Sequence, residues 1–404
     1  MPVDKSVGML RRPEHPQQAT FLELFFDLVF IFTLNTVVTL LVQDLHRPEI
    51  ADRRVVLNNI GETLLSFLPL VWIWVMTAWT TSRFNPLCPP VQAVVVFTMV
   101  GALIMSATMP SAFGQDSLIF ASVYVLIQWG RSAFFTVVMR GHVLGQVHLR
   151  ELIWFSVSAV PWIAGGLING PPRDMLWLSA IAIDYAVSLL GWPVPGVGRS
   201  RTTAWATATE HLAERYRQFL IITLGESILV IGRAYARPAL FNPSRTAAVG
   251  ISFAITVLLW RIYFYRAGQI LAQAITWSAD RVRLGRVAGW ANLAMVFGVL
   301  LTSTGYELVI KDPLGEVRPG WLLVVFGGPA LYLAGRAAFE HIVFGRISPP
   351  RLIGIAVLGV VGAFMIGLPP VVVLLASALV LCGIAVADAV RAHGKPLEEP
   401  SPPH

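Results

Sequence analysis

Phe21-Leu-Glu-Leu-Phe-Phe-Asp-Leu-Val-Phe30 sets two carboxylates inside the opening of a hydrophobic run. His211-Leu-Ala-Glu-Arg-Tyr-Arg-Gln-Phe-Leu-Ile-Ile-Thr-Leu-Gly-Glu-Ser227 does the same roughly 190 residues later, as a duplicated membrane unit would. Laid over each other, Glu23 meets Glu214, Phe25 meets Tyr216, Asp27 meets Gln218 and Asn35 meets Glu226. Ionisable side chains are costly in hydrocarbon, so those that persist there usually act on something.

The rest of the chain supports a membrane setting. Of its 404 residues, 55% are hydrophobic and 13% charged, and the mean hydropathy is +0.67. Soluble domains carry about a quarter charged residues, so this is an all-α polytopic membrane protein. The net charge of +7 falls in short loops between apolar runs. No basic helix or aromatic-basic platform stands outside them, which argues against nucleic acid as a partner. Cys88 and Cys382 are isolated, so neither a metal pair nor a disulfide framework follows. The N-terminus lacks a short apolar region with a small-residue cleavage site and reads as leading into an uncleaved first helix.

About twelve runs are long enough to span a bilayer. They fall near 20–42, 63–81, 91–109, 116–139, 151–168 and 174–192, then 212–234, 246–266, 286–306, 321–343, 352–368 and 370–389. Adding roughly 191 to the first six lands near the second six, and the even count gives both units one orientation. The expected organisation is a cytoplasmic segment 1–19, a first six-helix repeat 20–192, a Pro/Gly-rich linker 193–211, a second parallel six-helix repeat 212–390 and a disordered tail 391–404. Loops on the N-terminal side hold roughly sixteen Lys and Arg against roughly nine opposite, which predicts that both termini are cytoplasmic. Gly285 and Gly289, and Gly359, Ala363 and Gly367, are spaced for close helix packing.

Glu23 and Asp27 share one helix face and repel each other, which favours a shared proton or cation. His211 and Glu214, three apart, form an expected proton-accepting pair. Glu226 lies near mid-membrane beside Gly225. Arg131 and Asp184 are expected as a structural cross-helix pair, with Arg215 in ion pairs at its helix start. Arg261, Arg336, Glu307 and Glu340–His341 are expected near interfaces, where long side chains snorkel. Glu62 is placed at the start of the second helix, and His142 and His148 in a loop. No zinc-binding, P-loop, nucleophile-elbow or dinucleotide motif is present, so no catalytic residue, metal or cofactor is assigned.

Glu23-Leu-Phe-Phe-Asp-Leu-Val-Phe-Ile-Phe32, with His211-Leu-Ala-Glu-Arg-Tyr and Ile221-Ile-Thr-Leu-Gly-Glu-Ser-Ile228, resembles the bacterial low temperature requirement protein A family over roughly residues 12–390. The resemblance implies a multipass bacterial protein and brings no settled activity. It carries the family's acidic pair onto Glu23 and Asp27. It carries the second motif onto His211, Glu214, Arg215, Gly225, Glu226 and Ser227. Thr33-Leu-Asn-Thr36 departs from the small-residue and Gln pattern of relatives. The layout is also faintly similar to potassium channels of two six-helix repeats, although Gln218 stands where a second aspartate would.

The function expected is that of a transporter or channel. It would move a proton-coupled ion or small solute past Glu23, Asp27, His211, Glu214 and Glu226, along a polar path between the halves. The alternatives are a membrane scaffold or sensor of lipid order, and, less favoured, a membrane-embedded enzyme acting on lipid.

Overall fold

A computed structural model describes residues 8–11, 18–46, 53–200, 209–236, 242–264 and 281–393. The expected tail beyond His393, most of the N-terminal segment and the linker residues 201–208 lie outside these. The described residues form twelve α-helices and no strand. They are α1 (Phe21–His46), α2 (Arg53–Arg83), α3 (Pro89–Thr108), α4 (Ser117–Val138), α5 (Val143–Leu167) and α6 (Pro171–Leu189), followed by α7 (Thr209–Tyr235), α8 (Pro243–Phe264), α9 (Arg281–Lys311), α10 (Pro319–Phe344), α11 (Pro349–Ala363) and α12 (Pro370–Ala392). Prolines open α3, α6, α10, α11 and α12, where the missing N–H costs nothing and φ is already helical. Gly345, at φ 66°, ends α10 by turning its N–H back to the His341 carbonyl at 2.8 Å.

Nine of the twelve, all but α5, α6 and α11, are long and apolar enough to cross a bilayer. α5 carries His148, Arg150 and Glu151 near its start, and α6 carries Arg173, Asp174 and Asp184. With 15 residues, α11 is about 22 Å long, short of a hydrocarbon core of about 30 Å.

Several boundaries move from where the hydropathy placed them. α2 begins at Arg53, so Glu62 lies inside it and accepts from Asn58 Nδ2 at 2.7 Å. α5 begins at Val143, because His142 caps it by accepting the Leu144 N–H at 3.2 Å. His148 is therefore a helical residue and not part of a loop. Polar and charged residues within the opening turns of both helices had hidden these starts from an apolar window.

The described chain forms two compact units, residues 1–36 with 52–212 and residues 37–51 with 213–404. In the first, α5 packs against α4 and α6 around Phe120, Tyr124, Trp162 and Trp177. The Tyr124 and Trp162 rings lie 4.6 Å apart and Trp162 and Trp177 5.4 Å apart, while Trp177 Nε1 donates to the Trp162 carbonyl at 3.1 Å.

The second unit centres on α9 and α10, which touch through backbone. A Cβ at Gly298 would lie 2.5 Å from the Tyr332 nitrogen, and one at Gly328 would lie 2.6 Å from the Thr302 nitrogen. Gly335 meets the Ala291 carbonyl the same way, at 2.8 Å. Small residues at these positions let the helices close without a hydrophobic driving force. The sequence had pointed instead to Gly359, Ala363 and Gly367. Gly359 faces open space, and Gly367 serves a turn at φ 82°. Gly289 does pack, against the Tyr216 ring, whose hydroxyl lies 2.6 Å from where its Cβ would be.

Candidate functional site

Glu23 and His211, 188 residues apart, meet inside the first unit. Glu23 is the third residue of α1, and Thr20 before it donates to Glu23 Oε2 through its N–H at 2.8 Å and its Oγ1 at 2.9 Å. This is half of a capping box, and it holds the carboxylate at a helix N-terminus that favours negative charge. His211, on the first turn of α7, sets Nε2 3.2 Å from the Glu23 carboxylate and Nδ1 2.9 Å from Ser82 Oγ near the end of α2. Glu23 and His211 are 0% exposed and Ser82 is 1% exposed.

The hydrogen-bond arithmetic sets the protons. When Glu23 is ionised its carboxylate only accepts, so Nε2 then carries a hydrogen and donates to Glu23. In neutral His211, Nδ1 then accepts from the Ser82 hydroxyl. A proton gained at Nδ1 reverses that bond and makes Ser82 the acceptor. The imidazole can thus take a proton on one side and pass another on the opposite side without moving its ring.

Residues 9–11 pair with the end of α2. Arg11 N–H donates to the Arg83 carbonyl at 2.8 Å, its Nη1 donates to the Thr81 carbonyl at 3.1 Å, and Asn85 N–H donates to the Met9 carbonyl at 2.8 Å. One turn beyond Glu23, Asp27 Oδ1 accepts from Trp74 Nε1 at 2.9 Å, with both residues 0% exposed. Thr33 and Ser106 join α1 to α3 at 2.6 Å.

The expected His211–Glu214 pair takes another form, because both imidazole nitrogens already face Ser82 and Glu23. Glu214 lies in the second unit and is held by Arg217 and by Gln218 Nε2, the latter at 3.2 Å. Arg215 is fully buried. Glu226, also in the second unit, is 1% exposed, and none of the described groups bonds its Oε1. Beside it, the hydroxyls of Ser227, Thr256 and Tyr306 are strung across α7, α8 and α9 at 3.2 and 3.3 Å.

Arg131 and Asp184 each take a different partner from the one their sequence positions suggested. Asp184 Oδ2 accepts from Tyr124 at 2.6 Å, and Arg131 donates to Gln128 one turn away on its own helix. Arg336 and Glu340 do not snorkel either. At 1% and 5% exposure they join Arg351 and Asp388 in a buried network of 2.7 to 3.3 Å contacts. Among the described residues, no group of three or more His, Cys, Asp or Glu converges as a metal site would.

Ser82, Trp74 and Thr20 were not singled out by the sequence. Thr20 had a readable signal, the Thr-x-x-Glu spacing before an apolar run. Ser82 and Trp74 had none, since only packing brings α2 against these carboxylates.

Long apolar helices with carboxylates and an imidazole buried among them define a multipass, all-helical membrane protein. The chain matches the family described as Bacterial low temperature requirement A protein (LtrA) over residues 18–386, and it belongs to that family. An uncharacterized protein of Rhizobium meliloti (strain 1021) is similar to it, 31% identical over 353 residues that cover 86% of this chain and 83% of the relative. No solved structure matches the chain.

Proposed function

We propose that this protein is a transporter or channel, not an enzyme, that moves a proton-coupled ion or small solute. Glu23, Asp27, His211, Glu214 and Glu226 are the groups that meet the proton or ion in this reading. The observation that carries it is the buried Glu23–His211–Ser82 chain, which can exchange a proton at either end while keeping its heavy atoms in place. Glu226 adds to it, since a carboxylate at 1% exposure with an unmatched oxygen is a place for a proton or cation to sit. Ser82 is 1% exposed within a helix, which gives a substrate carbonyl no approach and disfavours acyl transfer. In this reading the protein sits in the bacterial inner membrane, and the Lys and Arg bias supports cytoplasmic termini.

The test is flux of protons and monovalent cations in liposomes carrying the purified protein. Asp27→Asn, Glu226→Gln and His211→Gln should each reduce flux at least tenfold. Flux that is absent in the unaltered protein, or indifferent to all three changes, sinks the proposal.

A membrane scaffold or lipid-order sensor is the second reading, favoured by the backbone contact between α9 and α10 and by the family's description. Such a tight pair would respond to bilayer thickness as lipid stiffens in the cold. Growth in the cold that survives loss of the carboxylates but fails with Gly298→Val would favour it over transport.

A further inference from the structure

A second polar cluster lies inside the first unit, on α4 and α5. Gln128, Arg131 and Ser132 stand on one face of α4, three and four residues apart, at 1%, 2% and 0% exposure. Arg131 spends Nη2 on the Gln128 carbonyl oxygen. Gln128 Nε2, Arg131 Nη1 and Ser132 Oγ then have no acceptor among the described residues. Three donors within one helical turn, all buried and all unmatched, are unusual in a folded protein.

Across from them on α5, His148 Nδ1 donates to Glu151 Oε2 at 2.7 Å. Glu151 also lies in the electrostatic reach of Arg83 and Arg131. This one carboxylate serves both guanidiniums electrostatically, with Oε2 bonded to the imidazole and Oε1 without a hydrogen-bond partner among the described residues. His148 is held by ring contacts with Phe135 at 5.1 Å and Phe84 at 5.7 Å, which fix the direction of its free nitrogen, Nε2. Phe84, Phe135, Met139, Leu144 and Met9 form a buried apolar group next to the cluster.

We propose that this cluster binds a small inorganic monoanion of chloride or nitrate size. An anion accepts from several donors at once. It also supplies negative charge beside Arg131, where the surroundings screen little. Water would accept from the donors but would leave the guanidinium charge as it is. A lipid phosphate has the same chemistry as a free anion. The side chains here are at most 2% exposed, which favours an ion without an acyl tail. The site is independent of the Glu23–His211–Ser82 chain, so it stands or falls apart from the transport proposal.

The experiment is equilibrium binding of radiolabelled chloride to the full-length protein in neutral detergent, with potassium gluconate holding ionic strength constant. Unaltered protein should show one saturable class of site, displaced by bromide and nitrate and untouched by gluconate. Ser132→Ala and Gln128→Leu should each weaken binding about tenfold, the effect of one hydrogen bond to a charged group. Arg131→Gln should abolish it. The two milder changes keep the test decisive if the arginine variant does not fold. Absence of saturable chloride binding overturns the proposal, as does binding that both milder variants retain unchanged. Displacement by phosphatidylglycerol in mixed micelles, without displacement by nitrate, overturns the free-anion assignment in favour of a headgroup.

Discussion

Replacing His211 with Leu removes both outer bonds of the buried chain at once. Glu23 loses a donor to a charged acceptor, a bond of about 1.5–3 kcal/mol, and Ser82 keeps a buried hydroxyl without its partner at about 1–3 kcal/mol. Stranding a buried charge costs up to about 3–5 kcal/mol. Thr20 still gives Glu23 two donors at 2.8 and 2.9 Å, so the carboxylate is not fully stranded. The net loss expected is therefore about 2–4 kcal/mol. Glu23→Gln keeps the shape and removes the charge, and the double variant isolates the pair. A coupling of about 1–3 kcal/mol is expected between contacting groups, against additivity within about 0.5 kcal/mol for independent ones. The assay is reversible unfolding in mixed micelles followed by tryptophan fluorescence. Coupling below about 0.5 kcal/mol would refute the direct His211–Glu23 contact and with it the proton chain.

Glu340→Gln leaves Arg336 and Arg351 facing each other with half their compensation, so the same unfolding assay should show a loss of about 3–5 kcal/mol. Arg351→Met, which also frees Asp388, should lose a similar amount. Gly298→Val forces a side chain into a gap of 2.5 Å from the Tyr332 nitrogen, and overpacking of about 1–3 kcal/mol or more should appear as a lower unfolding midpoint. Gly359→Val, at an open position, should leave that midpoint within error. Tyr124→Phe removes the 2.6 Å donor to Asp184 and should cost about 1–3 kcal/mol, with Asp184→Asn in the same background recovering part of the loss.

Much of the architecture was legible. Each of the twelve apolar runs corresponds to a helix, because a bilayer demands long apolar segments that satisfy their own backbone. Helix starts were harder to read. The helices that begin at Arg53 and Val143 carry polar and charged residues in their opening turns, which an apolar window discards. The Thr20-x-x-Glu23 cap could be read from spacing alone, whereas the partner of His211 could not. His211 and Glu214 are one turn apart and looked like a pair, yet the imidazole turns to a carboxylate 188 positions earlier. The glycines at 298, 328 and 335 matter because of what faces them, and no single-chain spacing reveals that.

What the sequence determined by itself was the membrane, the helices, the family and the set of ionisable groups that had to be accommodated in hydrocarbon. The membrane, the helices and the ionisable groups follow from composition and periodicity, which act locally along the chain, and the family from the resemblance its two motifs carry. The tertiary structure decided which groups meet. It sent Glu23 to His211, Asp27 to Trp74 and Asp184 to Tyr124, and it left Gln128, Arg131 and Ser132 with donors still to be matched. A buried polar atom is satisfied by whatever helix packing brings within about 3 Å, and that neighbour is set by side chains distant in sequence.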